Sequence, residues 1–356
     1  MKKYITLLLS YSIFFYCCQS KESHYAKIIR QNLGKDYCLL NLSDTNSYKT
    51  IFLETNADAL IGSYDKIMMN DSLIFVLDKE KTRSLFIYDH NGHFKNKISK
   101  NGRGVGEYVF LEDANLNGDT LLIIDRGTRK LLYYDLHGNF LNEYHFKSYF
   151  SIPFTVLGHD KLAFYFGMPK QSKENAEIVV TDLLFQVDTQ YIYRKNLTQK
   201  AGRFHFPQYF TQNKNGTFFI PTFDDKIYRF SNSGIEPIFD FQFKDFMFSF
   251  DEVSSEPIIN QNRKYAYFNK FYMTDEGIFV CSNSIGAQPV NLCGNIFTKE
   301  LNTWNHDVEI VGNYKEYFIT TCYASEFTKI FPQVNAEDND VILLIDGKRL
   351  LERNND

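Results

Sequence analysis

Two segments of the chain repeat one another at a shift of 46 positions: Thr82-Arg83 falls on Thr128-Arg129, Asp89 on Asp135, Gly92 on Gly138 and Phe94 on Phe140. Each copy has a short apolar run, Leu73 to Leu77 or Leu121 to Ile124, then a basic turn, a second strand pattern and a tight Asp-x-x-Gly turn. Neither run alternates apolar with polar residues, so a strand made from it must be covered by protein on both faces. A unit that cannot bury its own surfaces has to stack against further copies.

Four weaker copies follow. Leu162 to Phe166 precedes a strand pair over Ile178 to Val187, and Thr217 to Ile220 precedes Phe230 to Gly234, which matches Tyr134 to Gly138 at a shift of 96. Gly277 to Cys281 opens a fifth unit with an irregular stretch after it, and Tyr317 to Thr321 opens a sixth that ends in Asp340 to Ile345. With 34 Phe and 24 Tyr against one Trp, the composition favours pleated, half-buried surfaces. Six units of roughly 40 to 60 residues, each a set of short strands, predict an all-β fold, a six-bladed β-propeller over residues 47–352. Tyr48 to Leu53 has no hairpin partner nearby, whereas a ring needs closing to remove its exposed edges. Pairing of this N-terminal strand with Val341 to Ile345 of the C-terminal blade is the expected closure.

The leader has its own pattern: basic Met1-Lys2-Lys3, an apolar stretch from Tyr4 to Tyr16, then Cys17-Cys18-Gln19-Ser20. This is the layout of a secretion signal, and its apolar part is too short to span a bilayer, which takes about twenty residues. A cysteine closing the apolar stretch resembles a bacterial lipoprotein signal. The resemblance implies a signal peptide over 1–17, lipidation of Cys18, a linker over 18–46 and membrane attachment only through the lipid. Phe15 and Tyr16 depart from the usual pattern before such a cysteine, and an ordinary cleaved signal is the alternative. The net charge of −4 gives no reason to expect a nucleic-acid partner.

Cys38, Cys281, Cys293 and Cys322 contain no CxxC pair, so a zinc site is not indicated. Buried thiols within strands are expected, with Cys281 to Cys293 the one pairing to test.

The segments GRGVGEY, DTLLIIDRGTRKLLYYDLHGNFL and FLETNADALIGSYDKI resemble the six-bladed β-propeller lipoproteins of Bacteroidota, whose repeats are related to NHL-type propeller repeats. Val105 stands where that family has proline. The resemblance implies a cell-envelope address, as an outer-membrane lipoprotein facing the periplasm or the outside. It implies no particular activity.

Several residues could carry chemistry. Gly102, Gly104 and Gly106 have neither the GxGxxG spacing nor a following Lys-Ser/Thr, so a connection between blades, with glycine supplying positive φ, is expected over a phosphate loop. Arg103 and Glu107 could project from that loop to a ligand, or Glu107 could satisfy the loop's amides. Asp78 and Asp125 end equivalent strands, which admits axial carboxylates for calcium, but residues recurring in successive repeats are expected to be scaffold. The histidines form no HxH or HExxH, and GxSxG is absent, so no catalytic constellation is found. Tyr265, Tyr267, Phe268 and Trp304, with Arg263 nearby, could stack on a sugar or pack between blades. Of these, Arg263, Tyr265 and Trp304 join Arg103 and Glu107 as candidate ligand contacts.

The expected function is a monomeric, non-catalytic binding module for a glycan, a peptide or an envelope protein, with no cofactor. The alternative is a calcium- or zinc-dependent hydrolase or lyase working at the propeller axis.

Overall fold

The computed structural model describes residues 46–146, 153–166, 176–191, 209–221, 224–232, 234–242, 266–285, 288–303 and 309–352. They form six four-stranded antiparallel sheets set in a ring, a six-bladed β-propeller as the repeats predict. From the axis outward, blade 1 is Lys66–Met69, Leu73–Asp78, Ser84–Asp89 and Phe94–Ile98. Blade 2 is Leu111–Asn117, Thr120–Asp125, Lys130–Asp135 and Phe140–His145. Blades 3, 4 and 5 begin at the axis with Phe154–Leu157, Phe210–Asn213 and Ala266–Met273. Blade 6 takes Ile310–Tyr314, Tyr317–Cys322 and Val341–Asp346 from the C-terminal part of the chain and its outermost strand, Tyr48–Ile51, from the N-terminal part.

The unbroken apolar runs have the predicted cause. All six residues of Leu73–Asp78 are buried, and successive side chains go to different interfaces. Leu73, Phe75 and Leu77 pack with Leu121, Ile123 and Leu132 of blade 2, whereas Ile74 and Val76 pack with Ile319, Ile342 and Leu344 of blade 6. A pleated strand alternates its side chains by geometry, so a strand with a sheet on each side is apolar at successive positions, here up to Asp78 at its end. The outermost strands face solvent on one side, and Phe94–Ile98 and Phe140–His145 accordingly mix exposed and half-buried positions, with Ile98 the one buried residue of the two.

Closure follows the expected pairing, with Tyr48 opposite Ile345 and Ile51 opposite Ile342. Asn339, which is buried, reinforces it from the loop before Val341–Asp346. Its Oδ1 accepts from the Ile61 amide at 3.0 Å, its Nδ2 donates to the carbonyls of Glu54 and Ala59 at 3.1 and 2.6 Å, and its own amide donates to Thr55 Oγ1 at 2.8 Å. One side chain thus fastens residues some 280 positions apart.

The Asp-x-x-Gly turns hold as drawn from sequence. Asp89 Oδ1 accepts from the amides of Asn91 and His93, and Asp135 Oδ1 from those of His137 and Asn139, with Gly92 and Gly138 at φ +83° and +85°. Gly92 is required twice over, because a Cβ there would lie 1.9 Å from the Phe52 carbonyl oxygen of the closing segment. Blade 3 repeats the turn with no glycine. Asp182 Oδ1 accepts from Leu184 and Gln186, and Phe185 takes the left-handed position at φ +62°. Its ring lies 4.9 Å from that of Phe146 and 5.8 Å from that of Phe164, so packing compensates the strained backbone.

Cys281 and Cys293 are buried thiols, as expected, and unbridged. Cys281 pairs across the sheet with Leu292, so Cys293 lies one position along and points to the opposite face. Cys281 packs between blades 4 and 5, and Cys293 between blades 5 and 6. Burial pushes the Cys281 thiol pKa well above its ordinary value, which leaves it inert.

Replacing Asn339 with Ala strands buried amide and carbonyl groups, and should lower stability by about 1–3 kcal/mol. A shift of the urea midpoint at unchanged slope measures it, and a variant within error of wild type would show that strand pairing alone closes the ring.

Candidate functional site

A cleft opens at the axis, on the face formed by the connections leading into the innermost strands and by the turns between second and third strands. It has a volume of about 770 Å³ and is lined by residues of blades 1, 2, 5 and 6 and by Pro153. Among its lining side chains are five cations (Lys66, Lys79, Arg83, Arg126, Lys270) and five carboxylates (Asp65, Glu80, Glu112, Asp113, Glu309).

Lys66 forms the floor. It opens the strand KIMM, is buried with its neighbours, and reaches from blade 1 to blade 2, where Nζ donates to Asp113 Oδ1 at 3.0 Å, to the Ala114 carbonyl at 2.8 Å and to Asn115 Oδ1 at 3.0 Å. Three acceptors satisfy all three ammonium protons, the condition under which a charge can be kept away from water. Asp113 also accepts from the Ala114 amide at 2.8 Å, and Asn115 Nδ2 donates to the Phe154 carbonyl of blade 3 at 2.9 Å. The floor is therefore a polar seam across three blades.

Lys270 enters from blade 5. A bulge in the pairing of Ala266–Met273 with Ile278–Ile285, between Phe268 and Lys270, re-aims it toward the cleft. Nζ meets Glu309 Oε1. Burial pushes the Lys270 pKa down to about 8, with Asp65 acting against the shift and Lys79 adding to it.

The turns at the cleft's lip are held by carboxylates. Asp65 Oδ2 accepts from Ser63 Oγ at 2.7 Å and from the Lys79 amide at 2.9 Å. Asp78 Oδ1 accepts from Ser63 Oγ and from the amides of Lys81 and Thr82, while Oδ2 accepts from the Gly62 amide and Thr82 Oγ1. Burial alone would raise the Asp78 pKa, but these donors hold it below its usual value. Asp125 is the same device in blade 2, accepting from the amides of Phe110, Gly127 and Thr128 and from Thr128 Oγ1. Both aspartates hold their turns. Among the described residues no three of His, Cys, Asp and Glu converge as a metal's ligands.

Arg103 and Glu107 do not line the cleft. Arg103 is exposed, and Glu107 Oε2 accepts from the Gly104 amide at 2.7 Å, satisfying its own loop. The loop is pinned to blade 2 by Lys130 Nζ on the Gly104 carbonyl at 2.6 Å and by Tyr134 Oη on the Gly106 carbonyl at 2.8 Å, so it is a blade connection. Its glycines differ in purpose from expectation. Gly106 has positive φ, at +69°, whereas at Gly102 a Cβ would lie 2.0 Å from Glu107 Oε2 and would displace that carboxylate. Phe268 is buried between blades, which is the packing alternative for that ring. Arg263, Tyr265, Trp304, Cys18 and Cys38 lie outside the described residues. Lys66, Lys270 and Phe110 were not singled out by sequence. A lone lysine heading an otherwise apolar innermost strand is the signal that Lys66 offered.

The fold and the charged axial cleft define a six-bladed propeller with a polar central site. The chain belongs to the domain family of unknown function DUF4934, whose model matches residues 27–349. Among solved structures it is similar to a Bacteroides fragilis protein named as exported, at 19% identity and a TM-score of 0.72, over 86% of this chain and 97% of that one. It is also similar to a Bacteroides vulgatus member of the DUF4221 family, at 10% identity and a TM-score of 0.58, over 83% and 96% of the two chains. Among curated proteins, none matches the chain.

Two outcomes test the site. Lys66→Met leaves Asp113 buried without its cation and should cost about 3–5 kcal/mol, read as a lowered urea midpoint. After reductive ¹³C-methylation, the signal missing from Lys270→Arg should titrate near pH 8, protonated below and neutral above. Because folding lowers this pKa, the unfolded chain holds more protons between about 8 and its own value, and stability rises with pH across that window. A midpoint above 10 would remove burial as the governing influence.

Proposed function

We propose that the protein is an exported, lipid-anchored binding module that takes its ligand in the axial cleft and performs no chemistry on it. The observation that carries this reading is the cleft itself. Side chains from four blades meet at one opening, whereas the described interfaces between blades are packed chiefly with apolar side chains. Ordered polar groups converging in a concavity are how small-ligand sites are built. The aspartates that would serve an axial metal are occupied with their own turns. Export is supported by the leader and by the name of the Bacteroides fragilis protein, and lipidation by the cysteine that closes the apolar stretch. Residues 18–46 then serve as the spacer between lipid and propeller.

Glycan and peptide arrays probed with the purified propeller should yield a ligand whose binding falls at least tenfold in Lys270→Ala. Arrays without a binder, or a binder indifferent to Lys270, would count against the cleft. Stoichiometric calcium or zinc accompanied by turnover would install the enzymatic alternative instead. In cells, Cys18→Ser should abolish incorporation of labelled palmitate and release the protein from the membrane fraction. Continued labelling would move the anchor elsewhere.

A further inference from the structure

The lip of the cleft between blades 1 and 2 brings three cations together. Lys79 and Arg83 come from the turn between the second and third strands of blade 1, and Arg126 comes from the equivalent turn of blade 2. Of the carboxylates of the same lip, Asp65, Asp78 and Asp125 bind the backbone of their own turns, Glu112 is engaged with Arg126 Nε at 3.2 Å, and Glu80 lines the opening. Lys79 and Arg83 meet no carboxylate among the described residues. Asp65 is turned to the backbone amides of Lys79 and Glu80, and the two deeper cations, Lys66 and Lys270, already have Asp113 and Glu309.

Phe110 stands between the two arginines. Its ring is 43% exposed, an unusual placing for phenylalanine, with the guanidinium carbons of Arg83 and Arg126 at 5.7 and 5.4 Å from its centroid. At such distances the ring's quadrupole attracts each cation. A guanidinium held against an aromatic ring still has N–H donors to offer, so the ring positions Arg83 with its fork open and Arg126, whose Nε meets Glu112, with its two terminal nitrogens open. The backbone beneath is equally fixed. The Phe110 amide is bound by Asp125, and the Arg83 carbonyl accepts from Tyr108 Oη at 2.6 Å.

We propose that this lip is an anion subsite for the carboxylate of an acidic sugar, seated between Arg83 and Arg126 with the sugar ring against the exposed edge of Phe110. The proposal rests on the cleft being the ligand site. The paired arginine forks match the planar geometry of a carboxylate. The Lys270–Glu309 pair deeper in the cleft suits a hydroxyl group, which accepts from the ammonium and donates to the carboxylate. That pattern favours a polyhydroxylated ligand over a peptide, which would need apolar pockets for its side chains.

The test uses D-glucuronate, its uncharged methyl ester and an acidic pentapeptide, followed through the arginine Nε–Hε signals of the intact propeller. Glucuronate should shift the Arg83 and Arg126 signals saturably, and the ester should bind about tenfold more weakly or worse, the loss expected for a charge-assisted hydrogen bond. Arg83→Met, at an exposed position, should keep the wild-type spectrum elsewhere and lose affinity for glucuronate by about the same factor. Equal binding of acid and ester, an unaffected Arg83→Met variant, no shift with glucuronate, or binding of the peptide alone would each overturn the subsite. An array ligand that needs Lys270 but is indifferent to Arg83 would overturn the subsite and leave the cleft standing. An array without any binder would remove both.

Discussion

Every blade of this propeller depends on the blade beside it. The second strands of blades 1 and 2 carry apolar side chains on both faces, so neither sheet is viable in water until a neighbour covers each side. In a ring this requirement passes from blade to blade and is met only when the last sheet covers the first. The pairing of Tyr48–Ile51 with Val341–Asp346, and the bonds that Asn339 makes to residues 54–61, are therefore what the rest of the fold stands on.

Closure also produces the site. Innermost strands run along the axis, so the ends of several of them come together at one opening, and residues far apart in sequence become neighbours. Lys66 reaches Asp113 and Asn115, and Lys270 reaches Glu309, only because blades 1, 2, 5 and 6 share that opening. The polar seam on its floor is stable because each buried proton finds an acceptor, and the lip is rigid because Asp65, Asp78 and Asp125 bind the turns that carry it.

The repeated turns show how one backbone solution tolerates different side chains. Asp89, Asp135 and Asp182 make the same pair of amide contacts, yet the left-handed position is glycine in two turns and Phe185 in the third. Where the closing segment crowds the turn at Gly92, no side chain fits. Where the outer surface of blade 3 has room for a ring, aromatic packing offsets the strain.

The sequence by itself determined the blade count, the closing strand and the turns. Each of these is written in local patterns: strand period, turn chemistry, and a register that recurs at a fixed shift. It also marked the glycine-rich loop as a connection, although the crowding of Gly102 by Glu107 could be seen only in three dimensions. The cleft was decided by tertiary structure alone. Nothing near Lys66 in sequence announces Asp113, and nothing near Phe110 announces two arginines, because a propeller axis collects one or two residues from each of several blades. A ligand site assembled in that way leaves no contiguous motif to read.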